Sequence, residues 1–137
     1  MFKFNEVLDE GKVKSLNSIV LAFVGDAVYT LMVREKIACT GFQPGKLHDL
    51  SVNMVKASAQ ARAREVISPL LSEKEADIIR RARNAHVGSL PKNATSHDYH
   101  AATSVEALFG WLWLTDQKDR ATELFEIIWE DSISQIH

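Results

Sequence analysis

The chain has 137 residues, 46% of them apolar and 25% charged, with a formal net charge of −2. These are the values of one soluble globular domain with a core of its own, and they exclude a disordered or fibrous chain. The longest uninterrupted apolar run, residues 19–24, is far below the roughly 20 residues that span a bilayer. The Met1-Phe2-Lys3-Phe4-Asn5-Glu6 start lacks the apolar stretch of a secretory signal, so we expect a cytoplasmic protein with no membrane partner.

Leu16, Ile19, Val20, Phe23, Val24, Ala27, Val28 and Leu31 follow the i, i+3, i+4 rule and predict a long core helix, with Ser15 or Asn17 as its cap. The single Cys39 has no cysteine partner for a disulfide or a zinc site and is expected to fill space as a small apolar residue. Gly41 to Gly45, with Pro44 inside, breaks the chain. Leu47, Leu50, Val52, Met54, Val55 and the alanines to Ala63 then predict a helix that ends before Pro69. Ser72-Glu73-Lys74-Glu75 has the form of a capping box and starts a helix to about Asn84. Residues 88–93 carry glycine and proline between basic residues and predict a loop. Ser96 or Asp98 would cap a helix through Leu114, Thr115-Asp116 a short turn, and residues 118–133 the last helix. No segment alternates as a strand should. The expected fold is all-α, a single domain over residues 1–137 built from five to seven helices.

Two of these helices each place one carboxylate and one glycine in an apolar pattern, Leu21-Ala22-Phe23-Val24-Gly25-Asp26-Ala27-Val28 and Ser104-Val105-Glu106-Ala107-Leu108-Phe109-Gly110. An ionised side chain forced toward an apolar face costs several kcal/mol unless a cation or donors compensate it, and a glycine inside a helix costs roughly 1 kcal/mol relative to alanine. Asp26 is three residues after Phe23, and Glu106 three before Phe109 and seven before Trp113, so both border apolar stripes in partly dry surroundings. A divalent metal between the two helices would account for both acids, with Gly25 and Gly110 permitting close approach. Oxygen ligands suit Mg2+, and phosphodiester hydrolysis is the reaction such a site serves best.

The net charge argues against a protein that coats nucleic acid, but the basic residues are segregated. Residues 51–64 carry only Lys56, Arg62 and Arg64 as charges, and residues 80–97 only Arg80, Arg81, Arg83 and Lys92, with His86 and His97 nearby. A local basic surface on an otherwise acidic protein is expected from this pattern. Trp111, Trp113 and Trp129 are expected to pack rather than stack on bases. Phe109, Leu112, Trp113 and the first helix are candidate contacts with a second copy of the chain.

LAFVGDAV at residues 21–28 resembles the signature helix of the ribonuclease III catalytic domain, and VEALFG at 105–110 its second metal-binding helix. Arg81-Ala82-Arg83-Asn84-Ala85 and Pro91-Lys92-Asn93 resemble stretches of the Mini-III branch of that family, which consists of the catalytic domain alone. The resemblance implies a Mg2+-dependent homodimeric endoribonuclease that cuts double-stranded or structured RNA, with Asp26 and Glu106 as catalytic metal ligands. It also implies a role in maturing the ends of precursor large-subunit (23S) ribosomal RNA. Longer family members use four acids. Here Ile19, Ala22 and Thr103 stand at the other acidic positions, a reduction that Mini-III proteins share and that leaves the number of ions open.

No separate double-stranded RNA-binding domain is expected to follow, so RNA contacts fall to the catalytic body. The candidates are Arg80, Arg81, Arg83, Lys92, Lys56 and Arg62, with Asn84 and Asn93 as neutral donors, since A-form RNA is read through phosphates and 2′-hydroxyls. Two other readings are open on sequence alone. One is a non-catalytic RNA- or ribosome-binding module on the same fold. The other is an HD-type metal phosphohydrolase built on His48-Asp49 or on His97-Asp98 with His86 and Asp116, although imidazole-rich sites favour transition metals.

Overall fold

The computed structural model of the chain describes residue 13, residues 16–85 and residues 95–136. The first long helix, α1 (Ser18–Ala38), begins where Asn17 Oδ1 accepts the Ile19 N–H at 2.7 Å, one of the two caps expected. Cys39 is its exposed C-cap, which corrects the expectation that the thiol packs inside. Gly41, at φ +82°, turns the chain in a region that favours glycine, and Pro44 opens α2 (Pro44–Val55) at a position where its missing N–H costs nothing.

The helix predicted to run on through Ala63 is broken. α2 stops at Val55, Lys56 takes an extended conformation with ψ 156°, and α3 (Ala57–Ile67) starts afresh. No glycine or proline marks the place. The Val55 carbonyl, which a continuous helix would pair with a backbone amide one turn on, instead accepts the side-chain amide of Gln60 at 3.0 Å. A single-turn 3-10 helix at Ser68–Leu70 leads to α4 (Glu73–Arg83). Its capping box forms as expected, the Glu75 N–H donating to Ser72 Oγ at 3.2 Å and the Ser72 N–H to Glu75 Oε1 at 2.9 Å. The central helix α5 (Ser96–Leu114) is capped by Thr95, whose hydroxyl accepts the Asp98 N–H at 3.0 Å, one residue before the earlier of the two caps expected. After a turn in which Asp116 has φ 58°, α6 (Lys118–Ile136) continues past the predicted end at Ile133.

Between Ala101 and Leu112, every α5 residue except Glu106 is buried. A helix buried all round belongs at the centre of a bundle, and α1, α3, α4 and α6 pack about it. Tyr29 of α1 sits at the middle of this core, edge-on to Phe109 at 5.2 Å and to Phe125 at 5.6 Å. Phe109 and Leu112 are fully buried inside the chain, so they are not contacts with a second copy. Trp111 and Trp129 pack, as expected; Trp113 is partly buried with Lys118 Nζ 4.9 Å from its ring. At the rim, Arg120 ties α6 to the start of α4 through Glu75 at 2.9 Å and to the Leu70 carbonyl at 2.8 Å.

The buried face of α1 differs from the predicted stripe. Leu21, Gly25, Val28, Tyr29, Val33 and Ile37 face the core, while Val20, Phe23 and Leu31 are 45%, 80% and 47% exposed. The segment is apolar on nearly every side, so two different faces satisfy the helical period, and only packing selects between them.

Candidate active site

The site is set by a crossing of α1 and α5 at two glycines. A Cβ built on Gly25 would lie 1.5 Å from the Glu106 carbonyl oxygen and 2.8 Å from the Gly110 nitrogen, and one on Gly110 would lie 2.0 Å from the Leu21 carbonyl oxygen. No side chain fits at either position, so the two helices meet backbone to backbone, as the paired glycines predict. Asp26 follows Gly25 directly, and Glu106 lies one turn before Gly110. Their side chains are therefore brought to the same place, and the two carboxyls are within hydrogen-bonding reach of one another.

The surroundings of the two acids are unequal. Asp26 is exposed, which corrects the expectation of a partly dry environment for it; Glu106 is largely buried. Burial, then the hydrogen bond and charge of Asp26, push the Glu106 carboxyl from 4.5 up to about 8, against a smaller opposing pull from a hydrogen bond with Gln60. Burial and the Glu106 charge likewise raise the Tyr29 phenol well above its usual range. At neutral pH, without a cation, the carboxyl pair thus retains a proton. A divalent ion binds deprotonated ligands and would expel it.

The carboxyls open into a groove of about 290 Å³ lined by Ile19, Ala22, Phe23, Asp26, Tyr99, Thr103 and Glu106. Ile19, Ala22 and Thr103, the positions at which the resemblance implied further acids in longer relatives, line the same groove. Among the described residues, no group of three or more His, Cys, Asp or Glu side chains is gathered for a metal. The ionisable donors lining the groove are the two carboxylates of Asp26 and Glu106. This all-oxygen set fits magnesium, which takes one or two carboxylates and keeps several waters.

The HD doublets are placed elsewhere. His48 lines a separate hollow of about 400 Å³ between α1 and α2, together with Arg34, Ile37, Ala38, Leu47 and Ser51. His97 lies between Arg64, at 3.4 Å, and Asp98, at 3.2 Å, and His86 falls outside the described residues.

Of the basic candidates, Arg80, Arg81 and Arg83 are exposed on the last turns of α4, with Asn84 exposed at its C-cap. Arg80 is ion-paired to Asp77. Lys56 is exposed at the α2–α3 break. Arg62 is engaged by Asp131 of α6 through two hydrogen bonds, at 3.2 and 3.0 Å, and so serves to join α3 to α6. Lys92 and Asn93 fall outside the described residues.

Tyr99 and Gln60 adjoin the acids without having been singled out in the sequence. Tyr99, Thr103 and Glu106 are spaced i, i+4, i+7, a signal that would have placed Tyr99 on the same face. For Gln60 the only signal was a polar amide within the alanine-rich run Ala57-Ser58-Ala59-Gln60-Ala61.

Comparison with known proteins bears on this geometry. A family model described as the ribonuclease III domain matches residues 19–117. The Mini-ribonuclease 3 of Thermoanaerobacter sp. (strain X514) is 44% identical over 123 residues, covering 89% of this chain and 87% of that protein. That of Brevibacillus brevis is 40% identical over 111 residues, covering 80% and 83%. An X-ray structure of a Fusobacterium nucleatum protein superposes with a TM-score of 0.80 at 25% identity, covering 88% of this chain and 98% of that one.

Proposed function

Since the chain belongs to the ribonuclease III family and is an endoribonuclease of that type, we propose that Asp26 and Glu106 are its catalytic pair and hold Mg2+ for the hydrolysis of double-stranded or structured RNA. The observation that carries this reading is the meeting of two carboxyls over the Gly25–Gly110 crossing, in a groove open to solvent. The bound ion would supply an activated water and neutralise charge developing on the scissile phosphate. The protein's own part is to hold the two acids at a fixed separation. Asp26 would hold the ion from the exposed side of the groove and Glu106 from its inner side, both as carboxylates.

The exposed stripe of α1, Val20, Phe23 and Leu31 with Ala27 between them, supports a homodimer. Phe23 belongs both to this stripe and to the groove wall, so a second protomer seated on α1 would border the site. Exposed Arg80, Arg81, Arg83 and Asn84 at the end of α4, with Lys56, Lys92 and Asn93, are the proposed contacts to RNA phosphates and 2′-hydroxyls. Arg62 is a weaker candidate because Asp131 holds its guanidinium. The further proposal of a role on precursor 23S ribosomal RNA in the cytoplasm rests on the resemblance of residues 81–85 and 91–93 to the Mini-III branch. Among the described residues, no helix is long and apolar enough to cross a membrane.

The test is cleavage of a long RNA duplex in Mg2+ and in EDTA by the wild type, Asp26→Asn and Glu106→Gln. Mg2+-dependent cutting that both substitutions abolish supports the assignment. Duplex binding without cleavage under every divalent ion would replace it with the non-catalytic RNA-binding reading.

A further inference from the structure

We propose that Tyr99 is a third catalytic residue, its phenol donating a hydrogen bond to a non-bridging oxygen of the phosphate that is cleaved. This rests on the reading of Asp26 and Glu106 as the metal-binding pair of a ribonuclease. Tyr99 lies in the first turn of α5 and lines the same groove as the two acids. Spaced i, i+4, i+7 along the helix, Tyr99, Thr103 and Glu106 share one face. The residue is fixed from its main chain outward. Its N–H donates to the Thr95 carbonyl at 3.0 Å, its carbonyl accepts the Thr103 hydroxyl at 3.0 Å, and its ring stands edge-on to that of His100 at 5.7 Å.

What the groove can offer a phosphate follows from its lining. Ile19, Ala22 and Phe23 present no polar side-chain atom, and Asp26 and Glu106 as carboxylates can only accept. The Thr103 hydroxyl gives its one hydrogen to the backbone of its own helix. That leaves the Tyr99 phenol, half-buried and without a hydrogen-bond partner among the described residues, as the lining side chain with a hydrogen to give. Phenylalanine would keep the ring contact with His100, so the hydroxyl is the part of the side chain that nothing among the described residues uses. Hydrolysis of a phosphodiester builds negative charge on the non-bridging oxygens, and a donor held in place beforehand stabilises that charge with no reorganisation at the moment of reaction. A phenol does so without adding positive charge. A lysine or arginine at this position would instead pair with the two acids and compete with a cation for them.

The experiment first maps the cut in a long RNA duplex. It then measures single-turnover cleavage, in Mn2+, of a synthetic duplex bearing an Rp or an Sp phosphorothioate at that position, by the full chain as wild type and as Tyr99→Phe. Calorimetry of Mn2+ binding without RNA accompanies it. We expect Tyr99→Phe to bind Mn2+ and the duplex as the wild type does, but to cleave the unmodified duplex about 100-fold more slowly at saturation. Sulfur accepts hydrogen bonds weakly, so with one diastereomer the wild type should lose its advantage and the two proteins should cleave at the same rate. With the other diastereomer the gap should persist. If Tyr99→Phe does not fold, Tyr99→Leu carries the same comparison. A gap of equal size for both diastereomers would overturn the proposal and leave the phenol a structural part of the groove wall, as would wild-type cleavage by the variant. Absence of Mn2+ binding and of metal-dependent cleavage in the wild type itself would instead overturn the assignment of Asp26 and Glu106 on which the proposal stands.

Discussion

Replacing Glu106 by glutamine should make the metal-free protein more stable while ending its activity, and the gain should depend on pH in a defined sense. In the folded chain the Glu106 carboxyl titrates at about 8, against 4.5 when unperturbed. Between those values the native state binds more protons than the unfolded state, so the contribution of this group to stability falls as pH rises. At 1.36 kcal/mol per pH unit, the full penalty above pH 8 has an upper limit of about 5 kcal/mol, and relaxation around the charged pair should reduce it to about 2–3 kcal/mol. Glutamine carries no such penalty. Urea unfolding in EDTA, from pH 5 to pH 9 at one protein concentration, should therefore show the advantage of Glu106→Gln growing steadily and levelling off above pH 8. Adding Mg2+ should narrow the gap, because the ion stabilises only the chain that binds it. A difference between the two proteins that is flat across the range would refute the reasoning, since it would mean that Asp26 and burial do not burden Glu106 in the folded state.

Three further outcomes follow from the packing. Gly25→Ala places a methyl group 1.5 Å from the Glu106 carbonyl oxygen, so it should lower the free energy of unfolding by at least about 3 kcal/mol, read from the urea midpoint, and reduce cleavage along with it. Arg120→Met leaves Glu75 buried without its cation and should cost about 3 kcal/mol near neutral pH. Burial raises the Glu75 carboxyl, but Arg120 and Ser72 together bring it below its usual 4.5; the stability they confer is present above pH 4.5 and is lost as pH falls through the folded value. The gap between Arg120→Met and wild type should accordingly close as the pH is taken down from 4.5 in acid denaturation. Phe23→Glu removes an 80% exposed ring from the proposed dimer face; at about 2 kcal/mol per ring in a two-fold interface, association should weaken about 100- to 1,000-fold, and a dimer unchanged in sedimentation would exclude that face.

What could be read from the sequence was what is local or chemically costly. The capping box of Ser72 and Glu75 announces itself because both partners lie within one turn. Asp26, Glu106, Gly25 and Gly110 stood out because each is unfavourable where it occurs unless something offsets it, and the close crossing does so. The buried face of α1 could not be read, since Phe23 and Leu21 are equally apolar and only the packed bundle distinguishes an 80% exposed residue from a 2% exposed one. The break at Lys56 was hidden for a different reason. It depends on a side chain five residues away bonding to a carbonyl, and no propensity scale contains that bond.

The meeting of α1 and α5 through main chain alone leaves nothing at that point that can change rotamer. Elsewhere in the core, a larger or smaller side chain is accommodated by its neighbours shifting a few tenths of an ångström, and any active site built on such contacts inherits the drift. Here the spacing of the two acids is referenced to carbonyl and amide atoms of Leu21, Gly25, Glu106 and Gly110, so substitutions around Tyr29 or Phe125 can trade away folding energy with little effect on where the acids stand. The chain has in this way separated the tuning of its robustness from the calibration of its chemistry, and a designer could redraw most of the core before disturbing the one joint that has no slack.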